Sequence, residues 1–113
     1  MSASNVLASL AVKNVETSLV WYASVLGRPA DARPTPELAE WEFEGGGWLQ
    51  VYQLAERAGT GSCTLVERDM DARMHRIATA GITVAHISSS EHARVIMIKD
   101  PDGNSVAISE EHA

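Results

Sequence analysis

The sequence predicts an α+β domain made of two successive βαβββ units. Short segments alternate between apolar and polar residues, as half-buried strands do, and two longer segments have helical spacing. The order of these segments in the first half recurs in the second half. Ser62 lies 55 residues after Leu7, and each occupies a predicted strand. Asp69 lies 55 residues after Asn14, and each precedes a predicted helix. A repeat of this kind indicates a duplicated unit.

The first unit, residues 5–54, opens with a strand and a helix. Residues 6–12 alternate between a larger aliphatic face and a smaller, more polar face, which predicts a strand. Asn14 is a favourable N-cap, and the apolar residues after it recur at helical spacing. Gly27 is predicted to end this helix.

The remaining strands are predicted from alternation and turn residues. Three prolines mark residues 29–36 as a loop or an edge strand. The second unit, residues 61–110, repeats the strand, the helix and three further strands. Its last two strands are joined by the turn sequence Asp-Pro-Asp-Gly-Asn, residues 100–104. The other predicted strands are residues 39–44, 48–54, 62–66, 83–87, 94–98 and 104–109.

Composition limits the kind of protein this is. The 113 residues, 45% of them hydrophobic, are enough for one domain, residues 1–113, and too few for two. A net charge of −6 disfavours a nucleic-acid partner. No segment is long and apolar enough for a membrane span, and the N-terminus lacks a signal-peptide pattern. A single cysteine, Cys63, excludes an internal disulfide, so a cytoplasmic location is expected.

Two motifs, taken with the repeat, resemble a known superfamily. The first is Ser-Leu-Val-Trp-Tyr, residues 18–22, followed by Val-Leu-Gly, residues 25–27; the second is the turn of residues 100–104. The chain thus resembles the vicinal oxygen chelate superfamily, which includes glyoxalase I, extradiol dioxygenases, fosfomycin resistance enzymes and bleomycin resistance proteins. The resemblance implies eight strands in a curled mixed sheet around a cavity, with the helices outside. It also implies a homodimer with cavities at the shared interface.

The resemblance further implies positions for a divalent metal, on the first and last strands of each unit. Matched to this sequence, these positions are Leu7, Gln50, Ser62 and Ala107. Leucine and alanine cannot bind a metal, a neutral serine is a poor ligand, and one amide cannot hold a divalent ion against water. The sequence therefore predicts neither a metal nor another cofactor, and no residue is assigned a catalytic role.

Strand alternation places these positions on the face opposite the aliphatic residues, where the cavity is expected. Trp48 and Tyr52 are predicted to stack on a planar or amphipathic organic ligand, or alternatively to fill the space themselves. Trp41 lines the cavity mouth or packs beneath a helix. The predicted ligand-contacting residues are Leu7, Ser9, Trp41, Trp48, Gln50, Tyr52, Ser62, Thr64, Ala107 and Ser109.

The remaining residues that could take part in chemistry, three glutamates, the cysteine and a histidine, are interpreted mainly as structural. The glutamates at alternate positions in residues 40–44 form one acidic face, which suits a solvated strand edge more than a cation-binding rim. Cys63 faces the core by alternation. Residues 88–91 form a serine-rich loop next to His92, for which a general-base role is a minor alternative.

These observations favour a metal-free homodimer that binds a small organic molecule. Among the superfamily it most resembles the bleomycin resistance proteins, which implies sequestration of an aromatic or cationic antibiotic. One alternative is a lyase, isomerase or dioxygenase of the same fold, with an absent metal site or a displaced one that uses Gln50. A second alternative is a regulatory or scaffolding module whose cavity is filled by Trp48 and Tyr52.

Overall fold

The computed structural model describes residues 2–91 and 94–111, so His92 lies outside the described residues. The elements occur in the order predicted for two βαβββ units, which confirms the α+β fold. The strands are β1 Leu7–Val12, β2 Ala32–Thr35, β3 Leu38–Glu42, β4 Trp48–Gln53, β5 Ser62–Glu67, β6 Val84–Ser89, β7 Arg94–Lys99 and β8 Ser105–Glu110. The helices are α1 Val15–Leu26 and α2 Met70–Thr79, with a short 3-10 helix Ala55–Arg57. No helix in the described ranges is long and apolar enough to cross a membrane.

The eight strands form two four-stranded mixed sheets, one from each unit. The strand orders are β1-β4-β3-β2 and β5-β8-β7-β6. In each sheet the first and last strands of the unit pair in parallel, and the other pairs are antiparallel. The register is equivalent, because Leu7 lies opposite Trp48 as Ser62 lies opposite Ser105. The sheets meet where β1 lies beside β5, a boundary that we call the seam.

Both helices begin at the predicted caps and cover the same side of the sheets. The side chain of Asn14 accepts a hydrogen bond from the Thr17 amide at 3.0 Å, and Asp69 accepts one from Ala72 at 3.0 Å. α1 ends at Gly27. The core between helices and sheets consists mainly of Leu10, Val12, Val15, Tyr22, Val25, Trp41, Leu49, Val51, Met70, Ile77, Ile96, Ile98, Val106 and Ile108. Burial of each large aliphatic side chain there stabilises the fold by about 1.5–3 kcal/mol. The opposite sheet faces have no helix over them in the described residues.

The turn of residues 100–104 closes the β7–β8 hairpin and also joins the two units. Gly103 has a φ of 101°, as the turn requires. The side chain of Asn104 reaches across the seam, where its Nδ2 donates to the Ala11 carbonyl at 2.8 Å. Its Oδ1 accepts from the Gly61 amide at 2.9 Å. One end of the seam is therefore held by a buried side-chain amide.

The carboxylate of Asp100 lies next to this amide and is only 4% exposed. It accepts hydrogen bonds from the Tyr22 hydroxyl at 2.8 Å and from the Asn104 side chain at 2.7 Å. The backbone amides of Asp102 and Asn104 donate to it at 2.9 and 2.8 Å. Burial, and then the Asp100 charge, raise the pKa of Tyr22 above its usual range. The turn, α1 and β1 are thereby linked through one buried cluster.

Two predicted boundaries differ from the structure. The strand predicted at residues 39–44 ends at Glu42, because Phe43 and Gly47 already form the hairpin turn, with a backbone hydrogen bond of 2.9 Å. Ser88 and Ser89 belong to β6, where they pair with β7. The predicted serine-rich loop is therefore shorter than residues 88–91.

Candidate functional site

The exposed face of the first sheet carries the predicted aromatic residues. Trp48, Gln50 and Tyr52 are half-buried along β4, and Leu49 and Val51 between them are fully buried. This alternation is the one expected from the sequence, because adjacent strand residues point to opposite faces. The two rings flank Gln50 on a face that no helix covers in the described residues.

Three polar side chains cross this face in a hydrogen-bonded line that we call the polar row. Ser9, Gln50 and Glu40 lie opposite one another on β1, β4 and β3. The Ser9 hydroxyl donates to Gln50 Oε1 at 2.8 Å, and Gln50 Nε2 donates to Glu40 Oε2 at 2.7 Å. Both ends of the Gln50 amide are therefore engaged, and the row ends in a carboxylate.

Glu40 is the residue of this face that the sequence analysis missed. The three glutamates, interpreted as one acidic strand edge, occupy different environments. Glu40 is half-buried against Gln50, Glu42 is exposed, and Glu44 lies in the hairpin and pairs with Arg68 at 2.5 Å. The signal was the alternation of Glu40 with the buried residues of β3, Ala39 and Trp41. That signal points to a contact with Gln50 only when the pairing of β3 with β4 is known.

The exposed face of the second sheet carries small residues and hydroxyls. Ser62 and Thr64 are exposed, and Ser109 is half-buried. Ala107 lies between Thr64 and Met97 in register, and their larger side chains leave it only 8% exposed. Met97 is a further residue of this face that the sequence analysis did not assign.

The prediction that Trp41 contacts a ligand has to be corrected. It is fully buried beneath α1, where its ring centroid lies 6.0 Å from that of Tyr22 and its Nε1 donates to the Arg28 carbonyl at 3.1 Å. It lies opposite Leu49 on the helix-covered face of the sheet. With no exposed surface it cannot contact a ligand directly, so its inclusion among the predicted ligand-contacting residues was wrong.

A cleft of about 820 Å³ opens at one end of the seam. The seam is tight where Leu10 approaches Gly61. A Cβ added to Gly61 would lie 3.0 Å from the leucine side chain. The cleft, which we call the seam cleft, lies between the first residues of β1 and the last residues of β5. It is lined by Val6, Leu7, Ala8, Leu26, Arg28, Glu42, Phe43, Glu44, Gly45, Gly47, Trp48, Leu49, Cys63, Thr64, Leu65, Val66, Glu67, Arg68, Arg73, Ile108 and Glu111.

The seam cleft collects few of the predicted ligand-contacting residues. Leu7, Trp48 and Thr64 line it, and the other predicted residues are absent from its walls. Cys63 packs against the core, as predicted, and it also lines the cleft, where it is half-buried. Burial, and then the charge of Asp100, raise the pKa of its thiol to about 11. The thiol is therefore protonated at neutral pH and is a poor nucleophile there.

The comparison with solved structures decides the family. A glyoxalase/bleomycin resistance protein from Catenulispora acidiphila DSM 44928 is 30% identical, over 97% of this chain and 100% of that one, with a TM-score of 0.88. The chain belongs to the glyoxalase/bleomycin resistance protein family. The resemblance to the vicinal oxygen chelate superfamily, drawn from the two motifs and the repeat, is confirmed.

More distant matches show that the fold of this family member recurs in proteins of different activity. TnmS3, an antibiotic-binding protein from Streptomyces sp. CB03234, is 23% identical over 99% of both chains, with a TM-score of 0.81. A lactoylglutathione lyase from Agrobacterium tumefaciens is 17% identical over 96% of this chain and 95% of that one, with a TM-score of 0.77. At these identities the likeness concerns the fold alone. No family model and no curated protein matches the chain.

The metal positions expected for this glyoxalase/bleomycin resistance family member do not suit a divalent ion. Leu7 and Gln50 are diagonal neighbours across β1 and β4, and Ser62 and Ala107 are related in the same way across β5 and β8. Gln50 alone offers a good donor, and its amide is engaged in the polar row. Within residues 2–91 and 94–111, no three His, Cys, Asp or Glu side chains are grouped to hold a metal. A divalent ion needs several oxygen or nitrogen ligands, which this set does not supply.

Proposed function

We propose that this protein binds a small aromatic or cationic organic molecule on the exposed sheet face, without a resident metal, and acts by sequestering it. The observation that carries this proposal is the polar row with Trp48 and Tyr52 on either side of it. In the described residues this face carries no group of three His, Cys, Asp or Glu side chains that could hold a metal ion. The TnmS3 structure, described as an antibiotic-binding protein, supports this choice within the fold.

Glu40 supplies the electrostatic part of the proposal. Its carboxylate is half-buried, and the partner found for it in the described ranges is the neutral amide of Gln50 rather than an arginine or lysine. A half-buried carboxylate without a cationic partner favours a positively charged ligand group. Rings beside it add stacking and cation–π attraction, each of about 0.5–2 kcal/mol.

We propose that the binding unit is a homodimer. Trp48, Tyr52 and Met97 lie half-buried on faces that no helix covers in the described residues. Covering such faces with a second copy would remove apolar surface from water and enclose the ligand. We also place the protein in the cytoplasm, because its single cysteine gives no sign of an oxidising compartment.

The test of the ligand site is a titration of tryptophan fluorescence with aromatic cationic antibiotics, bleomycin among them. Glu40→Gln is expected to weaken binding about 10- to 100-fold, because it removes a charge-assisted contact of about 1.5–3 kcal/mol. Glu42→Gln is the matched control, since Glu42 lies on the same strand and face but is exposed. It should change affinity less than twofold, within the small effect expected of an exposed charge. Equal losses in both variants would contradict the proposed role of Glu40.

Two further measurements separate the alternatives. Protein purified without chelator should contain far less than one equivalent of nickel, zinc, manganese or iron. A stoichiometric metal that is lost in Gln50→Ala would favour the enzyme of the same fold, a lyase, isomerase or dioxygenase. Sedimentation should give twice the chain mass of 12.2 kDa. No fluorescence response to any antibiotic would favour the regulatory or scaffolding module.

A further inference from the structure

We propose that the seam cleft is a second ligand site, separate from the polar row, and that it takes a neutral apolar or aromatic molecule of drug-like size. Its volume of about 820 Å³ lies within the range of small-molecule sites, roughly 300–1,000 Å³. Its walls come from both units, whereas the polar row belongs to the first sheet alone. The two sites are neighbours, because Trp48 borders both.

Exposed apolar side chains gather at the mouth of the cleft. The described residues include five large hydrophobic side chains that are exposed, and three of them line it: Val6, Leu7 and Val66. Leu26, Phe43 and Leu65 lie deeper, where they are half-buried. Exposed apolar surface concentrated over a concave site is typical of a surface that binds apolar partners.

The charges around the mouth favour a neutral ligand. A bound anion would need a free positive charge, but each arginine that lines the cleft is engaged by a carboxylate of this chain. The partners are Asp31 for Arg28, Glu44 and Glu111 for Arg68, and Glu67 for Arg73. An anionic ligand would therefore have to displace a pair that already exists, which favours a neutral ligand over an anion.

The seam is closed at one end and easily opened at the other. At the closed end the Asn104 side chain bonds to both units. At the open end Arg68 pairs with Glu44 across the mouth, and these side chains are 71% and 73% exposed. Exposed ion pairs of this kind contribute little to stability. Deeper in the cleft, Arg73 of the second unit donates to the Val25 carbonyl of the first. An apolar molecule can therefore enter at the mouth by displacing only an exposed ion pair, while the Arg73–Val25 contact behind it stays in place.

Two dyes test the site and its preference for a neutral ligand. N-phenylnaphthylamine is neutral, and anilinonaphthalene sulfonate carries a sulfonate on a related ring system. We expect the neutral dye to bind with one site per chain and about tenfold more tightly than the sulfonate. The reason is that every arginine lining the cleft is already paired with a carboxylate, so the sulfonate would be buried without a partner. Tighter binding of the sulfonate would overturn the proposed ligand class.

Val66→Glu tests the location, and Ile87→Glu is its matched control. Both residues are exposed β-branched side chains of the second sheet, 67% and 59% exposed, but only Val66 lines the cleft. Val66→Glu should weaken binding of the neutral dye about tenfold or more, because a carboxylate would face an apolar ligand. Ile87→Glu should leave it unchanged. Equal effects of the two variants would overturn the proposal.

Cys63 provides an independent report, because it is the single cysteine and lies in the cleft. The bound neutral dye should slow alkylation of Cys63 by N-ethylmaleimide severalfold in the wild type and in Ile87→Glu. Protection should be lost in Val66→Glu. Absence of protection in the wild type would overturn the proposal. Gln50→Ala should keep both dye binding and protection, so failure at the polar row and failure at the cleft are distinguishable.

Discussion

Replacement of Tyr22 by phenylalanine is the sharpest test of the buried cluster that links the turn to α1. The Tyr22 hydroxyl provides one of the four hydrogen bonds to Asp100, whose carboxylate is 4% exposed. Removing it leaves a buried acceptor with one donor fewer. Hydrogen bonds to charged groups contribute about 1.5–3 kcal/mol, so Tyr22→Phe should lower the free energy of unfolding by about 2 kcal/mol.

The expected shift in melting temperature follows from chain length. An unfolding entropy of about 2.1 cal/mol/K per residue over 113 residues gives a loss of about 4 °C per kcal/mol. Tyr22→Phe should therefore melt about 8 °C below the wild type. Calorimetry and urea unfolding followed by tryptophan fluorescence would measure both quantities.

Tyr52 is the matched control, because it is the other tyrosine of the chain and is half-buried on the exposed sheet face. Tyr52→Phe should change the free energy of unfolding by less than about 0.5 kcal/mol. The reasoning fails if the two variants lose equal stability, or if Tyr22→Phe is as stable as the wild type. The first result would mean that the loss at Tyr22 is not specific to its contact with Asp100. The second would mean that the Tyr22 hydroxyl adds nothing to the stabilisation of that carboxylate.

Three other perturbations have outcomes set by the structure. Asn104→Ala removes the side-chain bonds across the seam and should lower the free energy of unfolding in urea by about 3 kcal/mol. Gly59→Ala would place a Cβ 2.2 Å from the Asp102 carbonyl at a φ of +84°, and should cost more than about 2 kcal/mol in thermal melts. Gly45→Ala, with no atom within 4 Å, should cost far less. The pKa of Cys63 is raised from 9.0 to about 11, so the unfolded state releases this proton first and stability falls as pH rises from 9 towards 11. The fall in the urea midpoint between these pH values should be smaller in Cys63→Ala.

The parts of the fold that depend on periodicity could be predicted from the sequence. Alternation assigns every residue of a strand to one of the two sheet faces once one buried residue is known. The faces on which the β4 side chains lie therefore followed from Leu49 and Val51 alone. The position of Trp41 did not follow, because it depends on the pairing of Trp41 with Leu49 across the β3–β4 hairpin. The contact of Gln50 with Glu40 depends on the same register. Sequence patterns within one strand contain no information about that register.

The seam cleft was beyond prediction for a related reason, since it is produced by the packing of one unit against the other. One residue that holds the units together is Asn104, which contacts Ala11 across 93 positions of sequence. Local patterns assign Asn104 to a turn and give no sign of its contact with the first unit.

The same contact makes the two proposed sites separable. The polar row lies within the first sheet, where pairing of β1, β3 and β4 positions Ser9, Gln50 and Glu40 irrespective of the second unit. The seam cleft needs both units in a defined relation, which Asn104 maintains from the closed end of the seam. In folded Asn104→Ala protein, loosening of the seam should therefore weaken binding of the neutral dye and leave the affinity of the polar row for a cationic antibiotic unchanged. A parallel loss of both affinities would mean that the polar row also depends on the relation between the units, and that the two form a single site.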